Sequence, residues 1–400
     1  MTRKMICLAL ALCLAPFAAA FAQQYDPGAS ATEIKLGQTV PLSGPVSVAG
    51  SFGRASLAFF AAVNKTGGIN GRQIKLTVLD DGYTPPKTVE ETRRLIEDDH
   101  VLAMFGSLGT PTNAAVQKYL NLKKIPQLFI STGASRFKDP THYPWTMAYI
   151  PGYAAEGKAA ARYALATVPN PKIAVLSQND DFGKDFLAGF KAGLGDKAAK
   201  LIVSEQTYEV TDPSVDSQVV SAKASGANVF YFAGTQKAGA GQLRAVHNLG
   251  WKPLHVVCAV AAAIETVLKP AGIANAEGLI STAYAKDPFD PAWADDAETK
   301  AYLDWAKTWL TTDNPRDAVV MNAYVASFLM KYVLEKAGSN LTRANLLDIA
   351  THLHNVHVPM LLPGLTASTT PSDYSVIDAF QIQRFQGGRW VDVGGLISGK

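Results

Sequence analysis

MFGSLGTPTNAAVQKYLNLKKIPQLFISTGAS, residues 104–135, is the stretch that decides the fold. It reads as strand, loop, helix, strand, loop, and both loops are made of glycine and small hydroxyl-bearing residues. The apolar run Val101 to Phe105 predicts a strand ending at Gly106. Thr110 is then expected as the N-cap of a helix with Pro111 at its first position. The predicted helix, 111–121, leads to a second apolar run, Gln127 to Ile130, which ends in Ser131-Thr132-Gly133-Ala134-Ser135. Both loops therefore fall beyond the carboxyl ends of neighbouring parallel strands. Open α/β sheets bind ligands in such crevices, and the free N–H groups of a helix start suit an anion. Ordinary βα turns also need Gly and Ser for backbone reasons, so the loops mark a place and not yet a ligand.

Working outward, strand and helix alternate on both sides of this unit. Upstream, the pattern predicts a strand over 34–40, a helix over 51–65, a glycine-rich turn over 67–71, a strand over 73–79 and a helix over 86–98. The alternation weakens near Tyr143-Pro144-Trp145 and restarts at Tyr153. Helices are expected at 154–167, 183–194, 214–224 and 238–249, with strands at 172–176, 201–205, 228–232 and 254–258. Asp287-Pro288-Phe289-Asp290-Pro291 reads as a linker into three helices at about 294–311, 316–337 and 342–352. A hairpin, 379–385 and 389–393 around Gly387-Gly388, closes the chain. Such alternation means right-handed βαβ units on parallel sheets, and 400 residues suggest two domains.

The N-terminus carries a separate signal. Arg3 and Lys4 precede an apolar run from Met5 to Ala19, and Ala20-Phe21-Ala22 is a small-x-small cleavage pattern, so residues 1–22 are expected to be a secretory signal peptide removed after Ala22. The residues around Cys13, Leu10-Ala11-Leu12 before it and Leu14 after it, argue against lipidation there. The remaining chain has 35 basic and 34 acidic residues, which disfavours nucleic acid as a partner. It retains one cysteine, Cys258, so no intramolecular disulfide forms, and export without a disulfide framework points to a bacterial periplasm.

The series Pro41-Leu42-Ser43-Gly44-Pro45, then NKTGGING over 64–71, then Asp80-Asp81, each after a predicted strand or helix, resembles the leucine/isoleucine/valine-type solute-binding proteins of ABC importers. The resemblance runs from about Ile34 to Trp390. It implies the type I periplasmic binding protein fold: α/β, two Rossmann-like doubly wound lobes joined by a three-crossing hinge, with the ligand between them. The crossings are expected near Ala148, Tyr284 and Gly364. Lobe one would then be 23–148 plus 285–364, and lobe two 149–284 plus 365–400.

The resemblance also implies site residues. A substrate carboxylate would rest on the loops Leu108-Gly109-Thr110 and Gly133-Ala134-Ser135. Phe182 matches the family's aromatic wall, Thr235 or Gln236 falls where a second Tyr is usual, and Ala49 replaces a bulky aromatic. The acid that meets a substrate ammonium falls in Cys258 to Ala262, around Val260, where no acid is present; Glu265 is the nearest. Tyr149, Tyr153 and Tyr284 lie near the crossings as candidate cleft aromatics, and Asp180 as a polar contact. The missing acid favours an organic carboxylate without an α-ammonium, such as an aromatic or keto acid, over an amino acid. An inner-membrane ABC permease is the implied partner, the chain is expected to be a monomer, and no cofactor is implied.

Rival readings are a ligand-sensing receptor and a secreted enzyme such as a hydrolase. The sequence has no G-x-S-x-G elbow, no P-loop and no G-x-G-x-x-G after a strand. His352, His354 and His357 have no fixed ligand spacing and are expected to form a solvated helix end, not a metal site. Asp80-Asp81 reads as turn and cap chemistry.

Overall fold

The computed structural model describes residues 24–399, so the predicted signal peptide and its cleavage point lie outside the described residues. Two parallel sheets organise the chain. The first contains β1 (Glu33–Val40), β2 (Gln73–Asp80), β3 (Ala103–Phe105), β4 (Gln127–Ile130) and β5 (Thr146–Ala148), in the order β2-β1-β3-β4-β5. Its crossovers run through α1 (Ser51–Lys65), α2 (Pro85–Arg93) and α3 (Thr110–Leu122). The strands β3, β4 and β5 are buried at every residue, as expected of strands covered by helices on both faces. At three residues, β5 is too short to carry a periodic signal, and the sequence pattern only faltered there.

The second sheet contains β6 (Ile173–Gln178), β7 (Ile202–Tyr208), β8 (Val229–Ala233), β9 (Leu254–Val257), β10 (Ile280–Ala283) and the hairpin β11 (Ala379–Gln386) and β12 (Arg389–Ser398). Its order is β12-β11-β10-β9-β8-β6-β7; the pairs from β7 to β10 are parallel, and β11 and β12 are added antiparallel. Its helices are α4 (Tyr153–Thr167), α5 (Asp181–Leu194), α6 (Asp216–Ala224) and α7 (Gln236–Asn248). In both sheets the first strand lies between the second and the third. Each sheet therefore has a topological switch point beside its first strand, where a crevice opens at the carboxyl ends.

The last three helices, α8 (Ala297–Trp309), α9 (Ala318–Ala337) and α10 (Arg343–Ala350), return to the first sheet. Val320, Leu329 and Met330 of α9 share one core with Phe52, Phe60 and Phe105. Among the described residues α9 is the one helix long and apolar enough to cross a membrane, but most of it is buried in that core.

Two crossings lie where the alternation falters, between β5 and α4 and between β10 and α8. The third needs correction. Leu365, Ala367, Tyr374, Val376 and Ile377 belong to the first core, so the chain crosses at about 377–379 and not at Gly364. Pro363-Gly364 is a turn that brings the chain back on itself: Val356 and Ala367 exchange backbone hydrogen bonds at 2.9 Å, and the Tyr374 hydroxyl donates to Pro144 O at 3.0 Å.

Within the second lobe, α4 and α5 pack through facing glycines. A Cβ at Gly189 would lie 2.0 Å from Ala154 O, and one at Gly157 would lie 2.3 Å from Phe186 O. Backbone atoms cannot yield there as a flexible side chain can. Gly189→Ala is therefore expected to destabilise the protein by about 1–3 kcal/mol, the usual range for overpacking. Chemical denaturation checks this, and an unchanged midpoint would show that the seam is slack.

Candidate functional site

The carboxyl ends of the two sheets face each other across a cleft containing a cavity of about 100 Å³. The first lobe contributes Ala49 and Phe52 beyond β1, Tyr83 beyond β2, Leu108, Gly109 and Thr110 beyond β3, and Ser131 beyond β4. The second lobe contributes Phe182 beyond β6, Thr235 and Gln236 beyond β8, and Val260 beyond β9. Ile150, Tyr153 and Asn322 of α9 complete the lining. These loops converge because both switch points open on the same cleft. Val46, Leu108, Ile150, Phe182, Val260 and Val319 make the wall predominantly apolar, and no charged side chain lines it.

The polarity of the cavity comes from neutral side chains such as Ser131, Gln236 and Asn322 and from backbone at two helix starts. Gly109 is the N-cap of α3, at φ 114°, so Thr110 is the first helical residue and not the cap expected from the sequence. Glycine takes that left-handed backbone readily; a Cβ there would also meet Thr112 Oγ1 at 2.5 Å and the Tyr83 ring at 2.8 Å. The Thr110 hydroxyl is spent on Thr132 Oγ1 at 2.8 Å. No side chain caps α3 and no acidic residue lies in its first turn. The same holds for α7, which starts after Thr235. Two 13-residue helices from opposite lobes thus bring uncapped N-termini to one apolar cavity, each with unpaired N–H groups and the positive end of its dipole.

Ala49, Leu108, Gly109, Thr110, Tyr153, Phe182, Thr235, Gln236 and Val260 meet in this lining, and the other candidates lie elsewhere. Gly133 is packed against the backbone, where a Cβ would lie 2.2 Å from Pro151 O, and Ala134 is buried with its N–H on Thr132 Oγ1. Ser135 reaches across the cleft instead: its N–H and hydroxyl both contact Asp185 Oδ2 at 3.2 Å. Asp180 caps α5, accepting from Phe182 N and Gly183 N at 3.0 and 3.2 Å, and does not line the cavity. The Tyr149 hydroxyl donates to Asn322 O at 3.1 Å, and Tyr284 donates to Asn322 Oδ1 at 2.8 Å. The three histidines make separate local contacts: His357 with Glu298, His352 with Asp348 O, and His354 beside Asn355.

Sequence reasoning missed Tyr83, Ser131, Asn322 and Glu156. Only Ser131 had a local signal, since it lies in the quoted loop. Glu156 lines a second cavity of about 180 Å³, which shares Tyr153, Val260 and Asn322 with the first. It is 6% exposed and accepts a hydrogen bond from Ala259 N at 2.7 Å. The segment Cys258 to Ala262 lacks an acid, but α4 places one against it. Burial pushes the Glu156 carboxyl up to about 7.

Because that carboxyl titrates higher folded than unfolded, the stability it contributes is fully present below the ordinary value of about 4.5 and is lost as pH rises through about 7. The ionised form then costs about 3 kcal/mol, from 1.4 kcal/mol per pKa unit. Glu156→Gln is expected to gain melting temperature relative to wild type between about pH 5 and pH 8. Parallel melting profiles across that range would refute the assignment.

Comparison with known proteins agrees with this architecture. The family model described as periplasmic binding protein matches residues 33–389. Leu/Ile/Val-binding protein homolog 3 of Brucella melitensis is 26% identical over 313 residues, covering 78% of this chain and 81% of its own. The leucine-, isoleucine-, valine-, threonine-, and alanine-binding protein of Pseudomonas aeruginosa is 23% identical, covering 77% and 80%. Among solved structures, a branched chain amino acid ABC transporter protein from Thermus thermophilus with bound valine superposes with a TM-score of 0.81 at 16% identity, covering 92% of this chain and 97% of that one. A fatty acid ABC transporter substrate-binding protein from Thermomonospora curvata gives 0.78 at 21% identity, covering 94% and 95%. These structures share the type I fold, and with nearly nine-tenths of its length matched by the family model, this chain belongs to the periplasmic binding protein family.

Proposed function

We propose that this chain captures a small organic carboxylate, such as an aromatic or keto acid, between its two lobes and delivers it to an inner-membrane ABC permease. One observation carries the reading: two uncapped helix N-termini converge on an apolar cavity that no charged side chain lines. The carboxylate rests on the N–H groups at Thr110 and at Gln236, and Phe182, Val260 and Phe52 enclose its apolar body. A buried ammonium would need a counter-charge that this lining does not provide. The proposal includes export by the N-terminal segment with cleavage after Ala22, a periplasmic monomer, and hinge closure of lobes divided at about 148, 284 and 378.

Glu156 favours a second reading, in which a branched-chain or other amino acid places its ammonium toward the adjoining cavity. Two nearly isosteric probes separate the readings: 4-methyl-2-oxopentanoate and leucine, titrated calorimetrically into ligand-stripped protein. The keto acid is expected to bind at least about tenfold more tightly, a difference of 1.4 kcal/mol. Leucine binding more tightly selects the amino-acid reading. Independently, Thr235→Asp places a carboxylate at the start of α7, where it competes for the same N–H groups, and should weaken keto-acid binding by about tenfold or more. Undiminished affinity would remove α7 from the site.

A further inference from the structure

The second cavity, about 180 Å³ against about 100 Å³, adjoins the first, with Tyr153, Val260 and Asn322 in both linings. Its walls include the aromatic side chains of Tyr284, Trp293 and Trp390 and several charged groups, and the pairing of those groups determines what the chamber can accept. The Lys286 ammonium is held by Asp296 and Glu298 at 2.9 and 3.0 Å. Asp290 is held by Arg389 at 3.1 Å and by Ala292 N. The Arg316 guanidinium lies 4.0 Å over the Phe289 ring and 3.9 Å from Glu265. The cations are therefore engaged, which argues against a second anion site.

Two carboxyl groups have spare acceptor capacity. Asp287 takes one hydrogen bond from Phe289 N at 2.9 Å, and Glu156 takes one from Ala259 N at 2.7 Å with Thr282 beside it. Each carboxylate can accept about four. We infer that the second chamber receives the far end of an elongated ligand, and that this end carries a hydrogen-bond donor, a hydroxyl or an amino group, directed at Asp287 and Glu156. This rests on the carboxylate reading above, since the first cavity fixes which end of the ligand lies where. The aromatic walls fit a flat or apolar connecting body, and burial raises both carboxyls above their ordinary range, so a neutral donor satisfies them without a full cation.

Three probes test it by calorimetry on the ligand-stripped full chain: 4-methyl-2-oxopentanoate, 3-phenylpropanoate and 3-(4-hydroxyphenyl)propanoate. The hydroxylated aryl acid is expected to bind about tenfold or more tightly than its parent, as a hydrogen bond to a charged acceptor provides. In Asp287→Asn that ratio should fall to about threefold or less, and in Asp287→Asn with Glu156→Gln to about one. Melting temperature and keto-acid binding establish that each variant is folded; if the double variant is not, Asp287→Asn alone supplies the reading. Equal affinity for the two aryl acids in wild type overturns the inference, as does a ratio that survives Asp287→Asn. If the keto acid binds and the aryl pair do not differ, the chamber assignment alone fails. If none of the three binds, the carboxylate reading fails and the chamber assignment falls with it.

Discussion

The structure depends on where parallel sheets leave their helix N-termini. Every strand-to-helix turn of such a sheet opens at the same edge, so the unpaired N–H groups of its helices accumulate there. The chain neutralises them itself at α5, which Asp180 caps, and places Glu156 and Asp216 in the first turns of α4 and α6. At α1, α2, α3 and α7 no side chain caps the helix and no acid lies in its first turn, and of these α3 and α7 reach one cavity from opposite lobes. Leaving a helix start uncapped forgoes about 1 kcal/mol of stability each time.

The alternation of strand and helix was legible because each element is long enough to show its period, and the quoted stretch located one wall of the cleft. What escaped was set by distant contacts. Thr110 has the chemistry of a cap, but Gly109 has the backbone freedom, and Thr132 claims the hydroxyl. Ser135 sits in the right loop, one turn too far along, where Asp185 is its neighbour. Pro363-Gly364 interrupts the pattern as a crossing would, yet the pairing of Val356 with Ala367 keeps the chain in the first lobe. Glu156 and Asn322 lie inside helices with no motif around them, and only the tertiary fold brings them beside residues 100 to 170 positions away.

The lobes also touch directly. Ser135 meets Asp185, Arg136 Nη1 lies 2.9 Å from Asp181, and Asn314 donates to Glu265 at 3.2 Å. These contacts are exposed, and exposed pairs contribute about 0–1 kcal/mol each, so they join the lobes only weakly.

Asn322 sits where the chain passes between the lobes. Tyr149, at the end of the first crossing strand, and Tyr284, at the end of the second, both donate to this one residue of α9, one to its carbonyl and the other to its side chain. Tyr149 belongs to the first core, so its bond to α9 fixes the end of the first crossing within that lobe, whereas the Tyr284 bond ties the end of β10, a strand of the second sheet, to the same residue. Because Asn322 also lines both cavities, the residue that both tyrosines hold is part of the wall of the cleft.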